Sequence, residues 1–145
     1  MNPLNLPSEL PIARYRLHFT LTHDLQLPSY AASTLRGVFG HALLAAACTC
    51  DTPQTPHLPD CPYAQIFEPA PCADLPGSVR QSPPPPYLIE TPLVAPTHFP
   101  AGAGYAFNLV LFGRARHSLA LIAAVFAQAF AKGLGANNAG KGELS

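Results

Sequence analysis

Four cysteines and one histidine carry the clearest chemistry in this chain. They run Cys48-x-Cys50-x10-Cys61-x10-Cys72, with His57 lying between Cys50 and Cys61. Zinc takes soft ligands brought together tetrahedrally, and an irregular loop with little packing capacity is where a metal staple adds most. The C-x2-C knuckle is missing, so two readings stand: a zinc site on Cys48, Cys50, Cys61 and Cys72, or reduced cysteines without a chemical role. A second cluster is Gly133-Leu134-Gly135-Ala136-Asn137-Asn138-Ala139-Gly140-Lys141-Gly142. Successive glycines let backbone N–H groups converge on a phosphate, and Lys141 adds a point charge; the alternative is a plain connection after a helix. The loop is not a Walker A motif, which needs Gly-Lys-Ser/Thr opening a helix, and it does not fit the GxGxxG fingerprint, which follows a strand.

These groups need elements to hold them. From Leu27 to Ala47 the residues Leu35, Val38, Phe39, Ala42, Leu43 and Ala46 fall on one stripe at helical spacing, which predicts a core-facing helix with Ser29 or Ser33 as its N-cap. Its other face carries Ser33, Gly37, Gly40 and His41. Each glycine inside a helix costs about 1 kcal/mol relative to alanine, so this face is expected to let something approach the backbone closely.

Before the helix, Ala13 to Leu21 alternates Tyr15, Leu17, Phe19 and Leu21 with Arg14, Arg16, His18 and Thr20, the period of a half-buried strand with a basic outer face. After it, residues 51–100 hold 14 of the 18 prolines, so residues 48–86 read as an irregular Pro- and Cys-rich insertion. Tyr87 to Leu93 suits an edge strand. Tyr105 to Gly113, apolar on both faces except at Asn108, suits a central strand of a covered sheet. A helix follows from a Ser118 cap, its core face formed by Leu119, Ile122, Val125, Phe126, Ala129 and Phe130 and its end marked by Lys132 and Gly133.

Strand, helix, strand, strand, helix and a final strand begun at Glu143 to Ser145 are the parts of a ferredoxin-like βαββαβ domain. The expected fold is therefore α+β, with residues 1–12 as a lead-in, 13–145 as one domain, and the last strand truncated or missing. A short last strand leaves the first as an open edge, which predicts self-association. Eight Lys and Arg balance eight Asp and Glu, so nucleic-acid contact through bulk charge is excluded and must rest on clusters such as Arg14 with Arg16. MNPLNLPSELP lacks the basic and apolar regions of a signal peptide, and the apolar run Leu119 to Ala131 is too short to cross a bilayer. A cytoplasmic protein without a disulfide framework is expected.

LPSYAASTLRGVFGHAL (Leu27 to Leu43), CPYAQIFEP (Cys61 to Pro69), PPPYLIETP (Pro84 to Pro92), NLVLFGRA (Asn108 to Ala115) and GLGANNAGKGEL (Gly133 to Leu144) occur in this order. Together they resemble the N-terminal part of a CRISPR-associated RAMP-superfamily endoribonuclease, which processes CRISPR precursor RNA. The resemblance implies a second domain of the same type, absent here. It also implies metal-independent cleavage by 2′-hydroxyl attack on the adjacent phosphate, aided by a general base and acid. Under it, His41 and Tyr30 are the catalytic candidates. Arg36, Arg14, Arg16, Gly133, Gly135, Gly140, Lys141 and Gly142 are the candidates for RNA contact. CRISPR repeat RNA and other CRISPR-associated proteins would be the partners. A non-catalytic RAMP subunit that holds guide RNA in a larger assembly is the alternative, and a zinc-stapled interaction module unrelated to RNA is a third reading.

Overall fold

The computed structural model describes residues 8–50, 57–58, 60–69 and 83–145. The chain is α+β. Four strands, β1 (Ile12–Leu21), β3 (Tyr87–Glu90), β5 (Gly104–Phe112) and β6 (Gly142–Leu144), form an antiparallel sheet in the order β3-β5-β1-β6. Two long helices, α1 (Ala32–Ala47) and α3 (Leu119–Lys132), pack on one face, and a short helix, α2 (Pro62–Ile66), lies against α1. The period-two pattern of β1 decides which face is buried. Leu17, Phe19 and Leu21 point to the helices beside Phe107, Leu109 and Leu111 of β5, while Arg14, Arg16, His18 and Thr20 are exposed.

Three features depart from the expected layout, and the short last strand agrees with the expected truncation. Helix α1 begins at Ala32, its N-cap is Ala31, and neither Ser29 nor Ser33 caps it. The reason is that Leu25–Gln26 form a two-residue strand, β2, with β4 (His98–Phe99), and Leu27 N–H donates to Thr97 O at 2.9 Å, so the chain is held extended through residue 27. The last strand is present but short: β6 pairs with Phe19, Thr20 and Leu21, leaving the Ile12 end of β1 without a second neighbour among the described residues. Central strand β5 is covered on one face only among the described residues, and on the other Val110 is shielded by its cross-strand neighbours Arg14 and Leu88. Ser118 does sit at the N-cap of α3, preceded by a 3-10 turn over Gly113–Ser118, but its hydroxyl makes no capping bond.

Aromatic rings knit the layers. Phe39 of α1 stacks on Phe126 of α3 at 4.8 Å and meets Tyr87 of β3 edge-on at 5.2 Å; Phe130 stacks on Phe19 of β1 at 3.8 Å. Burial on α1 is centred on Leu35, Phe39 and Leu43 and extends to Gly40, whereas Ala46 is exposed. This small rotation of the expected stripe comes from Phe67, whose ring lies directly on the Gly40 backbone where a Cβ would stand. Gly37 has open space around it. The two glycines of the expected close-approach face therefore behave oppositely. Gly37→Ala is expected to raise stability by up to about 1 kcal/mol through helix propensity. Gly40→Ala is expected to lower it by about 1 kcal/mol, because displacing the ring outweighs the same gain. Denaturant midpoints of the two variants check the contrast, and equal shifts of one sign would contradict it.

Burial pushes the Tyr87 and Tyr105 hydroxyls up to about 12 from an ordinary value of 10.0, with Arg36 pulling Tyr87 the other way. A raised folded-state value means that the unfolded chain ionises first. The stability these residues contribute is complete below pH 10 and is lost as pH rises toward 12. Alkaline titration should thus show their tyrosinate absorbance appearing together with loss of the near-ultraviolet dichroism. No helix among the described residues is long and apolar enough to cross a membrane.

Candidate metal centre

The end of α1 and the start of α2 bring the chemistry together. Helix α1 stops at Ala47, and Cys48 turns extended at φ −68°, ψ 123°. Cys61 occupies the N-cap of α2 just before Pro62, a residue suited to the first helical turn. Between them His57 presents Nδ1 at 3.5 Å from Cys48 Sγ, 3.4 Å from Cys50 Sγ and 4.0 Å from Cys61 Sγ. All four ligand atoms lie within 4.8 Å of one another. Cys61 is fully buried; Cys48, Cys50 and His57 are half-buried. This Cys3His cluster can hold a metal ion such as zinc.

The thiols are differently tuned. Burial alone would push Cys61 up, but backbone hydrogen bonds from Ala64, Thr49 and Tyr63, with help from Cys48, bring it down to about 6 from 9.0. For Cys50 the Leu58 N–H, donating to Sγ at 3.3 Å, lowers the value; burial and bonding with Cys61 and Cys48 outweigh it, and the net direction is up. Aromatic rings continue outward from the cluster. His57 is 4.9 Å from the Tyr63 ring, Tyr63 stacks on Phe67 at 5.5 Å, and Arg36 lies 4.9 Å above the Phe67 ring.

On the opposite face of the sheet, Arg16 and His18 border a cleft of about 360 Å³. Its other walls include Ser29, Thr91, Phe99 and Ala106. Arg14 is paired with Glu90 at 2.7 Å, an exposed contact worth little. The side chains of Arg16 and His18 make no ion pair or hydrogen bond among the described residues. Thr91 Oγ1, at the cleft wall, is buried without a partner among the described residues.

A family model described as AF_1859_N, N-terminal domain, matches residues 10–145. The chain belongs to this family. The match runs through every element from β1 to β6, so the metal cluster and the basic face both lie within the family domain. No match was found among the curated proteins or among the solved structures.

The remaining candidates of this AF_1859_N domain are spread over the surface. His41 is exposed on α1, Tyr30 is exposed just ahead of it, and no hydrogen bond joins them among the described residues. The glycine-rich loop is folded, with a Leu134–Gly140 bridge closing it and a 3-10 turn over Ala136–Asn138. Gly135, at φ 78°, lies on the Gln26 carbonyl and leaves no room for a side chain. Lys141 O accepts from Thr22 and His23, tying the loop to the end of β1. Packing thus accounts for the glycines, and Lys141 keeps a half-buried side chain. Of the four cysteines expected at a zinc site, Cys48, Cys50 and Cys61 come together with His57 as the fourth candidate ligand, and Cys72 lies outside the described residues. The sequence signal for His57 was only its place between Cys50 and Cys61, at the spacing Cys50-x6-His57-x3-Cys61.

Proposed function

We propose that the chain is an RNA-holding domain of RAMP type, with a ferredoxin-like fold, belonging to a protein that matures CRISPR precursor RNA. Counting only its four sheet strands, the chain runs β1, β3, β5, β6, and the sheet order β6-β1-β5-β3 then reads fourth, first, third, second, as a βαββαβ unit requires. The family description as an N-terminal domain is in keeping with a first half followed by a second. The observation that carries the RNA reading is the open sheet face, where the side chains of Arg16 and His18, unpaired among the described residues, stand at a cleft edged by Phe99. A guanidinium and an imidazole with no carboxylate partner among the described residues, beside an apolar, aromatic wall, suit a phosphate and a base together. The same proposal takes zinc as the metal of the Cys3His cluster, since three thiolates and one imidazole are a zinc donor set.

The test is binding of a labelled CRISPR-repeat RNA in stated salt. Arg16→Glu is expected to weaken binding roughly tenfold and to flatten its salt dependence. Arg14→Gln, already engaged with Glu90, should change it little. Equal affinity for Arg16→Glu and the parent would remove the sheet face from the proposal. Catalysis is read separately. In the nuclease, His41→Ala in the two-domain protein should lose about 10²–10⁴-fold in cleavage with binding intact. A second reading, the guide-holding subunit, is favoured by the absence of any polar partner orienting His41 among the described residues, and it predicts binding with no cleavage at all.

A further inference from the structure

Resting on zinc as the metal, we infer that Cys48, Cys50, His57 through Nδ1, and Cys61 form a closed, four-ligand structural site whose work is to fasten Tyr63–Phe67 onto Gly40. Three observations lead there. Tetrahedral zinc with ordinary Zn–S and Zn–N bonds sets each sulfur about 3.6 Å from the ligating nitrogen. The observed separations of 3.5, 3.4 and 4.0 Å straddle that value. Second, Nδ1 has either one lone pair or one N–H, so it cannot hydrogen-bond three sulfurs at once. A cation at the centre satisfies all four atoms. Third, the Leu58 N–H on Cys50 Sγ is the kind of outer contact that holds a ligating thiolate in place.

The role follows from what the cluster joins. Helix α2 has five residues and no side-chain cap, too little to form without outside support. Its start carries the buried ligand Cys61, and its far end delivers Phe67 to the bare backbone of Gly40. The other two thiols are fixed to the end of α1. A metal shared by both helix ends therefore closes the intervening loop and sets the position of the Tyr63–Phe67 stack. Four protein ligands fill a tetrahedron and leave no open position, which is the arrangement of a structural site.

Metal content and cobalt substitution of the purified chain test the ligand set. One zinc per chain is expected, and Co²⁺ should give the intense thiolate charge-transfer and tetrahedral d–d bands of a sulfur-rich site. Cys61→Ser and His57→Ala should lose the metal, whereas Cys72→Ser should keep it; loss of metal in Cys72→Ser, or retention in His57→Ala, would overturn the assignment. Hydrogen exchange tests the role separately. The amides of Gln65, Phe67 and Glu68, which donate to Cys61, Tyr63 and Ala64 carbonyls, should lose protection when the metal is chelated. If the chain binds no zinc, the metal reading fails. If it binds one zinc but those amides stay protected after chelation, the metal stands and the fastening role fails.

Discussion

Chelating the metal from the zinc-loaded chain is expected to lower its thermal midpoint by about 15 °C, with full recovery when zinc but not magnesium is returned. A structural Zn²⁺ contributes roughly 10–16 kcal/mol to folding in small zinc-finger peptides at neutral pH. A whole domain is usually stable by only about 5–15 kcal/mol, so even a fraction of that contribution is large. Only a fraction is expected, because unfolded thiols and imidazole also bind metal. The sheet and the α1–α3 pair are built from large apolar side chains that do not depend on the metal, among them Phe19, Phe126 and Phe130. What depends on it is the cover over Phe39 and Tyr87, since Phe67 reaches both rings, at 6.2 and 6.3 Å, from the fastened segment. Calorimetry with and without chelator measures the shift. It should also grow with free zinc as mass action demands, and a midpoint indifferent to zinc would refute the staple.

Much of the frame is legible in residue order because it rests on local periodicity. The alternation in β1 assigns Arg14, Arg16 and His18 to the outer face without reference to any other segment, and the structure keeps them there. The core face of α3 is read in the same way, with Ile122, Val125, Phe126, Ala129 and Phe130 all buried and Leu119, at the first turn, half-buried. The start of α1 is not local. Leu25 and Gln26 pair with a partner more than seventy residues away, and two-residue strands are too short to show a period. The glycine-rich loop is a related case: the residue types suit an anion nest or a plain connection, and only the fold shows that the space around Gly135 and Gly140 is taken by Leu25 and Gln26. At the metal cluster the residue types were visible and the set was not. His57 joins the cluster because α1 ends and α2 begins where they do, a tertiary fact that spacing along a proline-rich stretch does not encode. The cleft beside Arg16 is assembled from four separate stretches of chain, and no one of them carries a signal for it.

Phe39→Ala is expected to cost about 3–5 kcal/mol, or roughly 10–15 °C in midpoint for a chain of this size. The position of Phe39 decides this more than its area does. Phe39 is fully buried, and its ring is the one that touches α3 through Phe126, β3 through Tyr87 and the metal-fastened segment through Phe67. Truncation leaves a ring-sized hole bounded by three other rings, which cannot close it without leaving their own partners: Phe126 also packs on Phe107, and Phe67 also stacks on Tyr63. Phe39→Leu, which keeps a branched filler, should recover about half the loss. None of the four metal ligands is removed, so zinc content should remain one per chain while stability falls. That separation matters for the architecture. If Phe39→Ala released the metal as well, the cluster would depend on the core beneath it, and the order of dependence argued above would be reversed. Denaturant unfolding with parallel metal analysis decides between them, and a loss under 1 kcal/mol would show that the rings around Phe39 repack freely.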